Sequence, residues 1–357
     1  MKKLNVCVLF GGVSPEHEVS ARSAEFVLNN MDPEKYNIFP VGITKAGQWL
    51  LFGGEDYSML PKGTWAECAG NKPAAISPVR GQGLLTFEGD SVVRQRLDVV
   101  FPVLHGENGE DGSMQGLLQM ANIPYVGAHV AASAVAMDKT LTKLVVDHAN
   151  IPQAVWELVR ASELENRMEN TLSTLELRFR YPMFVKPAGT GSSVGVSKAA
   201  DREQLRKALL AAAKFDQKIL VEEFIHGREI EVAVMGNDNP VASICGEIDS
   251  GAEFYDYDAK YITDTSTAYI PARIPEDIGE IVREEAVKVY SAVGCVGLSR
   301  VDFFVTYEEN RVVFNEINTL PGFTSISMYP KLFEASGIPA LKLIDELIRL
   351  GMEACGA

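Results

Sequence analysis

The chain reads as an α/β protein of more than one domain that opens on an open parallel sheet. Three observations carry this. Residues 5–10 form a continuous apolar run of the kind buried on both faces of a sheet; a glycine turn, a helical stretch at about 16–30 and a second apolar strand at 36–42 follow, which makes a βαβ unit. At 357 residues the chain exceeds what one hydrophobic core usually serves, so two or three domains are expected. Towards the far end, two β-branched and aromatic arms, Leu298-Ser299-Arg300-Val301-Asp302-Phe303-Phe304-Val305 and Val312-Val313-Phe314-Asn315-Glu316-Ile317-Asn318, flank a polar turn and read as a hairpin.

The remaining elements follow in order. Residues 49–89, rich in Gly, Pro and small residues without strong periodicity, read as an irregular insertion with short strands and no assigned chemistry. Residues 97–104 are another buried strand, which ends in His105-Gly106-Glu107-Asn108-Gly109-Glu110-Asp111-Gly112 before a helix at 113–121; the first domain closes near Gly127. A helix at 133–148, a polar stretch at 163–177, a strand pair at 182–187 and 194–198, and an amphipathic helix at 205–214 form a middle unit. The last unit opens with strands at 219–224 and 229–235 around a turn at His226-Gly227-Arg228, an alternating two-stranded pattern, and ends with a helix at 339–351. Between them, 249–267 has little periodicity and the length of a lid.

Composition excludes several classes. The net charge of -15, with no local Lys/Arg cluster, argues against a nucleic-acid partner. Five scattered cysteines without a Cys-x-x-Cys spacing indicate neither a disulfide framework nor a thiolate metal site, and a reducing cytosol is the simplest compartment. The N-terminal apolar stretch lacks a signal-cleavage pattern, and no run approaches the roughly 20 apolar residues needed to cross a bilayer.

The hairpin carries the sharpest chemistry. With its turn centred near Glu309, Asp302 lies opposite Glu316, and the period of two puts Arg300 and Asn318 on the same face, with Phe304 and Phe314 sharing it. Facing carboxylates repel unless a cation lies between them, and Asp, Glu and Asn oxygens suit Mg²⁺ or Mn²⁺. The loop Lys186-Pro187-Ala188-Gly189-Thr190-Gly191-Ser192-Ser193-Val194-Gly195-Val196 offers free backbone N–H groups and a lysine to phosphate oxygens; composition alone supports a flexible hairpin loop equally. It is not a Walker A loop. Glu16 sits at a strand-to-helix turn, where a capping box with Ser14 as N-cap is the stronger explanation from the residues alone. His105 stands at a strand's C-terminal end, where open α/β sheets bind ligands. Pro321-Gly322-Phe323-Thr324-Ser325-Ile326-Ser327-Met328, directly after the hairpin, could hold a carboxylate or an oxyanion. A nicotinamide-dependent oxidoreductase is the competing class for the opening unit; the missing Gly-x-Gly-x-x-Gly and the downstream carboxylates count against it.

Six motifs in order carry a resemblance over essentially the whole chain: Gly-Gly-Val-Ser-Pro-Glu-His-Glu-Val-Ser at 11–20, the His105 motif at 105–112, Met-Asp-Lys at 137–139, the loop at 186–196, Tyr-Asp-Tyr-Asp-Ala-Lys-Tyr at 255–261, and Asn-Glu-Ile-Asn-Thr-Leu-Pro-Gly-Phe-Thr-Ser at 315–325. The sequence resembles the D-alanine–D-alanine ligases of the ATP-grasp superfamily. The resemblance implies a three-domain ATP-grasp architecture, divided at 1–127, 128–222 and 223–357, and ATP-dependent joining of two D-alanines through an acyl phosphate for peptidoglycan precursor synthesis. D-lactate or D-serine as second substrate is the alternative. By motif, Lys139, Lys186, Ser192, Ser193, Glu222, Glu223, Glu229, Tyr255 and Lys260 would bind ATP, with Glu223 rivalling its neighbour Glu222 for the adenine pocket. Asp302, Glu316 and Asn318 would bind two Mg²⁺ or Mn²⁺ ions. Glu16 would receive the ammonium of the first D-alanine, His105 would orient it, and Arg300 with the Gly322 N–H would form the oxyanion site. Ser327 with the Met328 N–H would bind the second carboxylate, and Ser192 and Tyr261 would join Glu16 in closing the lid. A homodimer in the cytosol is implied, with no membrane or nucleic-acid partner.

Overall fold

The computed structural model describes residues 2–191, 194–249 and 267–356. Three sheets organise it. The first has seven strands in the order β6-β5-β4-β3-β2-β1-β7, built from β1 (Leu4–Gly11), β2 (Tyr36–Ile43), β3 (Trp49–Leu51), β4 (Lys72–Ile76), β5 (Leu84–Glu88), β6 (Ser91–Gln95) and β7 (Val99–Pro102). Strand β1 is parallel to both β2 and β7, the expected open α/β opening. Helix α1 (His17–Asn29) starts one residue after Glu16. Its Ser20 hydroxyl accepts the Gly11 N–H at 2.8 Å and donates to the Val103 carbonyl at 2.6 Å, which ties the helix to two strand ends. Helix α2 (Ser113–Ala121) falls where periodicity placed it.

The stretch at 49–89 is not an irregular insertion. Its strands β3, β4 and β5 extend the sheet antiparallel beyond β2. The turn between β3 and β4 drives Trp65 into the core, 1% exposed and 4.8 Å from the Phe10 ring centroid. Gly42 makes room for it: a Cβ there would lie 2.3 Å from Trp65 Cζ3. The short strands expected here are present, but their pairing was not legible because each is shorter than a detectable alternation.

The expected helix at 133–148 is two helices, α3 (Val130–Met137) and α4 (Lys139–His148). Asp138 breaks the run, since its backbone is extended and its carboxylate accepts the Thr140 and Leu141 N–H groups as an N-cap. Conversely, the polar stretch at 163–177 is helical, α5 (Ala161–Arg178), and buries only Leu164, Leu172 and Leu175, too few to show a clear stripe. With α6 (Arg202–Ala212) it covers a four-stranded sheet, β10-β9-β11-β8, formed by β8 (Trp156–Arg160), β9 (Met183–Pro187), β10 (Ser197–Ala199) and β11 (Lys218–Glu223).

The third sheet contains β12 (Gly227–Gly236), β13 (Val241–Ala242), β14 (Gly246–Asp249), β15 (Thr267–Tyr269), β16 (Gly297–Thr306) and β17 (Val312–Asn318). Strands β11 and β12, expected as one alternating pair, belong to different sheets: β11 pairs with β8 and β9, and β12 with β14 and β16. Helix α7 (Glu276–Val293) packs on the apolar face, against Ile230, Val232, Val301 and Phe303. Helices α8 (Met328–Ala335) and α9 (Ala340–Ala354) join the third sheet to the first, with Leu343, Ile344 and Leu347 in one core with Val6, Val8 and Phe10.

Candidate active site

The hairpin register is as the sequence spacing predicts. Asp302 pairs with Glu316 and Arg300 with Asn318. A bulge at Asn315 then shifts the pairing, so Phe303 meets Phe314 and Phe304 meets Val313. Phe304 and Phe314 therefore do not share a face as expected; Phe314 joins Phe303 in the core behind the sheet. On β12, Glu231 lies opposite Asp302, so Glu231, Asp302 and Glu316 form one transverse row of carboxylates across three strands. Arg300 holds this row together. Its Nε and Nη2 donate to the two oxygens of Asp302 at 2.8 and 2.7 Å, and Nε lies 3.2 Å from Glu231 Oε2. Burial works against the guanidinium charge, but Asp302 and Glu231 outweigh it and keep the group protonated.

This face opens on a cavity of about 550 Å³ between the second and third sheets. Lys139, Lys186, Glu222, Glu223, Glu229, Glu316 and Asn318 line it, with Met137, Phe184, Phe224 and Ile225 forming an apolar wall. Because β11 and β12 part into two sheets, Glu222 and Glu229 come at the cavity from opposite sides. Glu222 is buried between two ammonium groups, with Lys143 Nζ 2.5 Å from Oε1 and Lys186 Nζ 2.7 Å from Oε2. Burial opposes its charge, yet the two lysines win and hold the carboxyl at about 2. Glu223 Oε1 accepts the Val155 N–H at 2.8 Å.

The loop after β9 is tethered at its base. Lys139 donates from Nζ to the Thr190 carbonyl at 2.6 Å and from its backbone to Ala188 at 3.0 Å, while Gly189 N–H donates to Asp216 at 2.7 Å. Lys139 thus reaches the loop because the Asp138 cap starts α4 there. Of the residues expected in this region, Ser192, Ser193, Tyr255, Lys260 and Tyr261 lie outside the described residues.

Glu16 approaches from the first sheet, and a Cβ on Gly191 would lie 3.5 Å from its Oε2. The capping box does not form: Ser14 Oγ accepts the Glu16 N–H at 3.1 Å, and α1 has no side-chain cap. His105 is 5% exposed; its Nε2 is 3.1 Å from Ser23 Oγ and its Nδ1 3.1 Å from the Leu320 carbonyl. Because the Leu320 carbonyl can only accept, Nδ1 is the donor to it, and in the neutral ring Nε2 then accepts from the Ser23 hydroxyl, whose Oγ also accepts the Phe323 N–H at 3.2 Å. Burial disfavours the imidazolium, but Glu110 and Glu16 shift the balance upward from the ordinary histidine value. His105 thereby fixes the loop holding Gly322. Ser327 precedes α8, and Met328 is its first residue, so both stand at a helix N-terminus, whose partial positive charge favours an anion. Ser327 Oγ accepts the Thr324 N–H at 3.0 Å.

The amino-terminal part, residues 5–128, matches the family model described as D-ala D-ala ligase N-terminus, and residues 145–349 match D-ala D-ala ligase C-terminus. The chain belongs to the D-alanine–D-alanine ligase family. This makes it an ATP-dependent ligase with the ATP-grasp fold of that family. A D-alanine–D-alanine ligase of Acetivibrio thermocellus is 49% identical across 98% of this chain and 96% of that protein. Among solved structures, the VanG D-Ala:D-Ser ligase from Enterococcus faecalis superposes with a TM-score of 0.89 at 37% identity, covering 98% of this chain and 100% of that one. The D-alanine–D-alanine ligase from Coxiella burnetii gives 0.86 at 37% identity, covering 100% and 96%.

Sequence reading of the ligase missed Lys143, Glu231, Asn315 and the Ser23–His105 contact. Lys143 had a signal, since it lies one helical turn beyond Lys139 and shares its face. Asn315 had none, because a bulge is a tertiary adjustment. Among the described residues, no three Asp, Glu, His or Cys side chains converge as a metal site. The residues expected as metal ligands, Asp302, Glu316 and Asn318, do share this face, with Glu231 beside Asp302 in the same row, and their oxygens are hard donors of the kind that suits Mg²⁺ or Mn²⁺. No helix among the described residues is long and apolar enough to cross a membrane.

Proposed function

We propose that this ligase joins two D-alanine molecules into D-alanyl-D-alanine with cleavage of ATP to ADP and phosphate, supplying a peptidoglycan precursor. The observation that carries the reading is the convergence of Lys139, Lys186, Glu316 and Asn318 on one cavity, whose mouth at Gly191 is met by Glu16. The carboxylate of the first D-alanine attacks the γ-phosphorus, giving an acyl phosphate and ADP. The amine of the second then attacks the acyl carbon, loses a proton, and phosphate leaves as the tetrahedral centre collapses.

Lys139, Lys186 and Lys260 balance charge on the phosphates, the main demand of phosphoryl transfer. Asp302, Glu316 and Asn318 would hold Mg²⁺ or Mn²⁺, two ions per site, which supply further charge neutralisation there. Glu222 or Glu223 with Glu229 and Tyr255 would seat adenine and ribose. Glu16 receives the first ammonium and His105 orients it through its hold on the 320–323 loop. Arg300 and the Gly322 N–H face the developing oxyanion. Ser327 and the Met328 N–H take the second carboxylate. Ser192, Ser193 and Tyr261 close over the site with Glu16 and exclude water from the acyl phosphate. The domain division at 127 and 222, a cytosolic location and a homodimeric state belong to the same proposal.

Relatives at 49% identity bear the D-alanine name, against 37% for the D-Ala:D-Ser ligase, which favours D-alanine as second substrate over D-serine or D-lactate. The test is phosphate release from ATP and Mg²⁺ with D-alanine or L-alanine alone, with the product weighed by mass spectrometry. Dipeptide from D-alanine only is the expected result. Silence with D-alanine, but turnover once D-serine or D-lactate is added, would reject the substrate assignment.

A further inference from the structure

Lys143 lines the nucleotide cavity, yet the roles above give it no task. It is 2% exposed and occupies one oxygen of Glu222 while Lys186 occupies the other, at 2.5 and 2.7 Å. Its place is held from behind: Gln153 Oε1 is 3.4 Å from its Nζ, and Gln153 Nε2 donates to the Lys143 carbonyl at 2.9 Å. On the cavity side, Lys186 Nζ also reaches Asn315 Oδ1 at 3.4 Å.

A buried carboxylate facing a single lysine closes into a neutral pair, because attraction in a poorly solvated site draws the ammonium fully onto it. A second ammonium on the far oxygen changes the sum. The trio of Lys143, Glu222 and Lys186 carries one net positive charge, and Lys186 is its member nearer the metal face. We propose that Lys143 is a positioning residue for nucleotide binding, which satisfies Glu222 from the α4 side so that the charge of Lys186 stays directed at the phosphate oxygens.

The inference rests on the ATP reading of the cavity and is tested apart from it. ATP·Mg²⁺ binding to the full-length protein is measured by calorimetry without D-alanine, alongside steady-state kinetics. K143M is expected to weaken ATP binding roughly tenfold or more, while the D-alanine KM at saturating ATP stays within about twofold, and K143R recovers most of the loss. Should K143M not fold, K143Q, which keeps a polar group beside Glu222 without the charge, is measured in its place: ATP binding weakened roughly tenfold supports the proposal, and affinity within about twofold of the parent overturns it. A lysine that merely fastens α4 to β11 would lower thermal stability and leave ATP affinity within about twofold; that result overturns the proposal. A parent that binds ATP but forms no dipeptide would reject the substrate assignment while leaving this inference standing.

Discussion

Arg300 grips Asp302 with two parallel hydrogen bonds, 2.8 and 2.7 Å long, along the same strand. A guanidinium fork spans both carboxylate oxygens at once, and lysine cannot. Arg300→Lys is therefore expected to cut phosphate release at saturating substrates by about a hundredfold with the far-UV spectrum unchanged. Activity near the parent's would mean that Arg300 only pairs charges.

Glu222 sets an acid limit on stability. Its folded-state value is held at about 2, below the ordinary 4.5. A depressed carboxyl stabilises the fold above the unfolded value and loses that contribution as pH falls from about 4.5 towards 2. Urea unfolding from pH 5 downward should show stability declining, and Glu222→Gln should flatten the decline by up to about one proton's worth of slope. Equal slopes for both proteins would remove Glu222 from the account.

Gly322 is confined by its neighbour. A Cβ there would lie 2.9 Å from Ser327 Oγ, which the Thr324 N–H and hydroxyl hold at 3.0 and 2.8 Å. Gly322→Ala must displace the serine hydroxyl proposed to meet the second substrate. We expect the D-alanine KM to rise roughly tenfold to a hundredfold with ATP affinity unchanged, as initial rates at fixed ATP would reveal.

Gly42 tests the sheet extension. With Trp65 Cζ3 2.3 Å from an added Cβ, Gly42→Ala overpacks the joint between β2 and the 49–89 strands. Chemical denaturation should give a loss of about 1–3 kcal/mol, with kcat nearly intact in the fraction that stays folded.

The expected metal ligands were legible as a set because Asp302, Glu316 and Asn318 lie within one hairpin, whereas Glu231 joins their row from β12 and was not. Asp302 and Glu316 are fourteen positions apart, and side-chain alternation with a short turn settles which residues oppose each other. The same arithmetic misplaced Phe304 against Phe314, since the bulge at Asn315 answers to packing behind the sheet.

By itself the sequence determined the opening βαβ unit, the hairpin register and, through six motifs, the family; each depends on local periodicity or on residues close together in the chain. Tertiary structure alone decided that β11 and β12 part into two sheets, so that Glu222 and Glu229 face one cavity. It also decided that Lys143 and Lys186 flank Glu222, and that Ser23 and His105 hold the loop after the hairpin. Ser23 and Phe323 are 300 positions apart. No window on the chain registers such a contact, because it exists only once separate cores have packed and the buried polar groups between them have found partners.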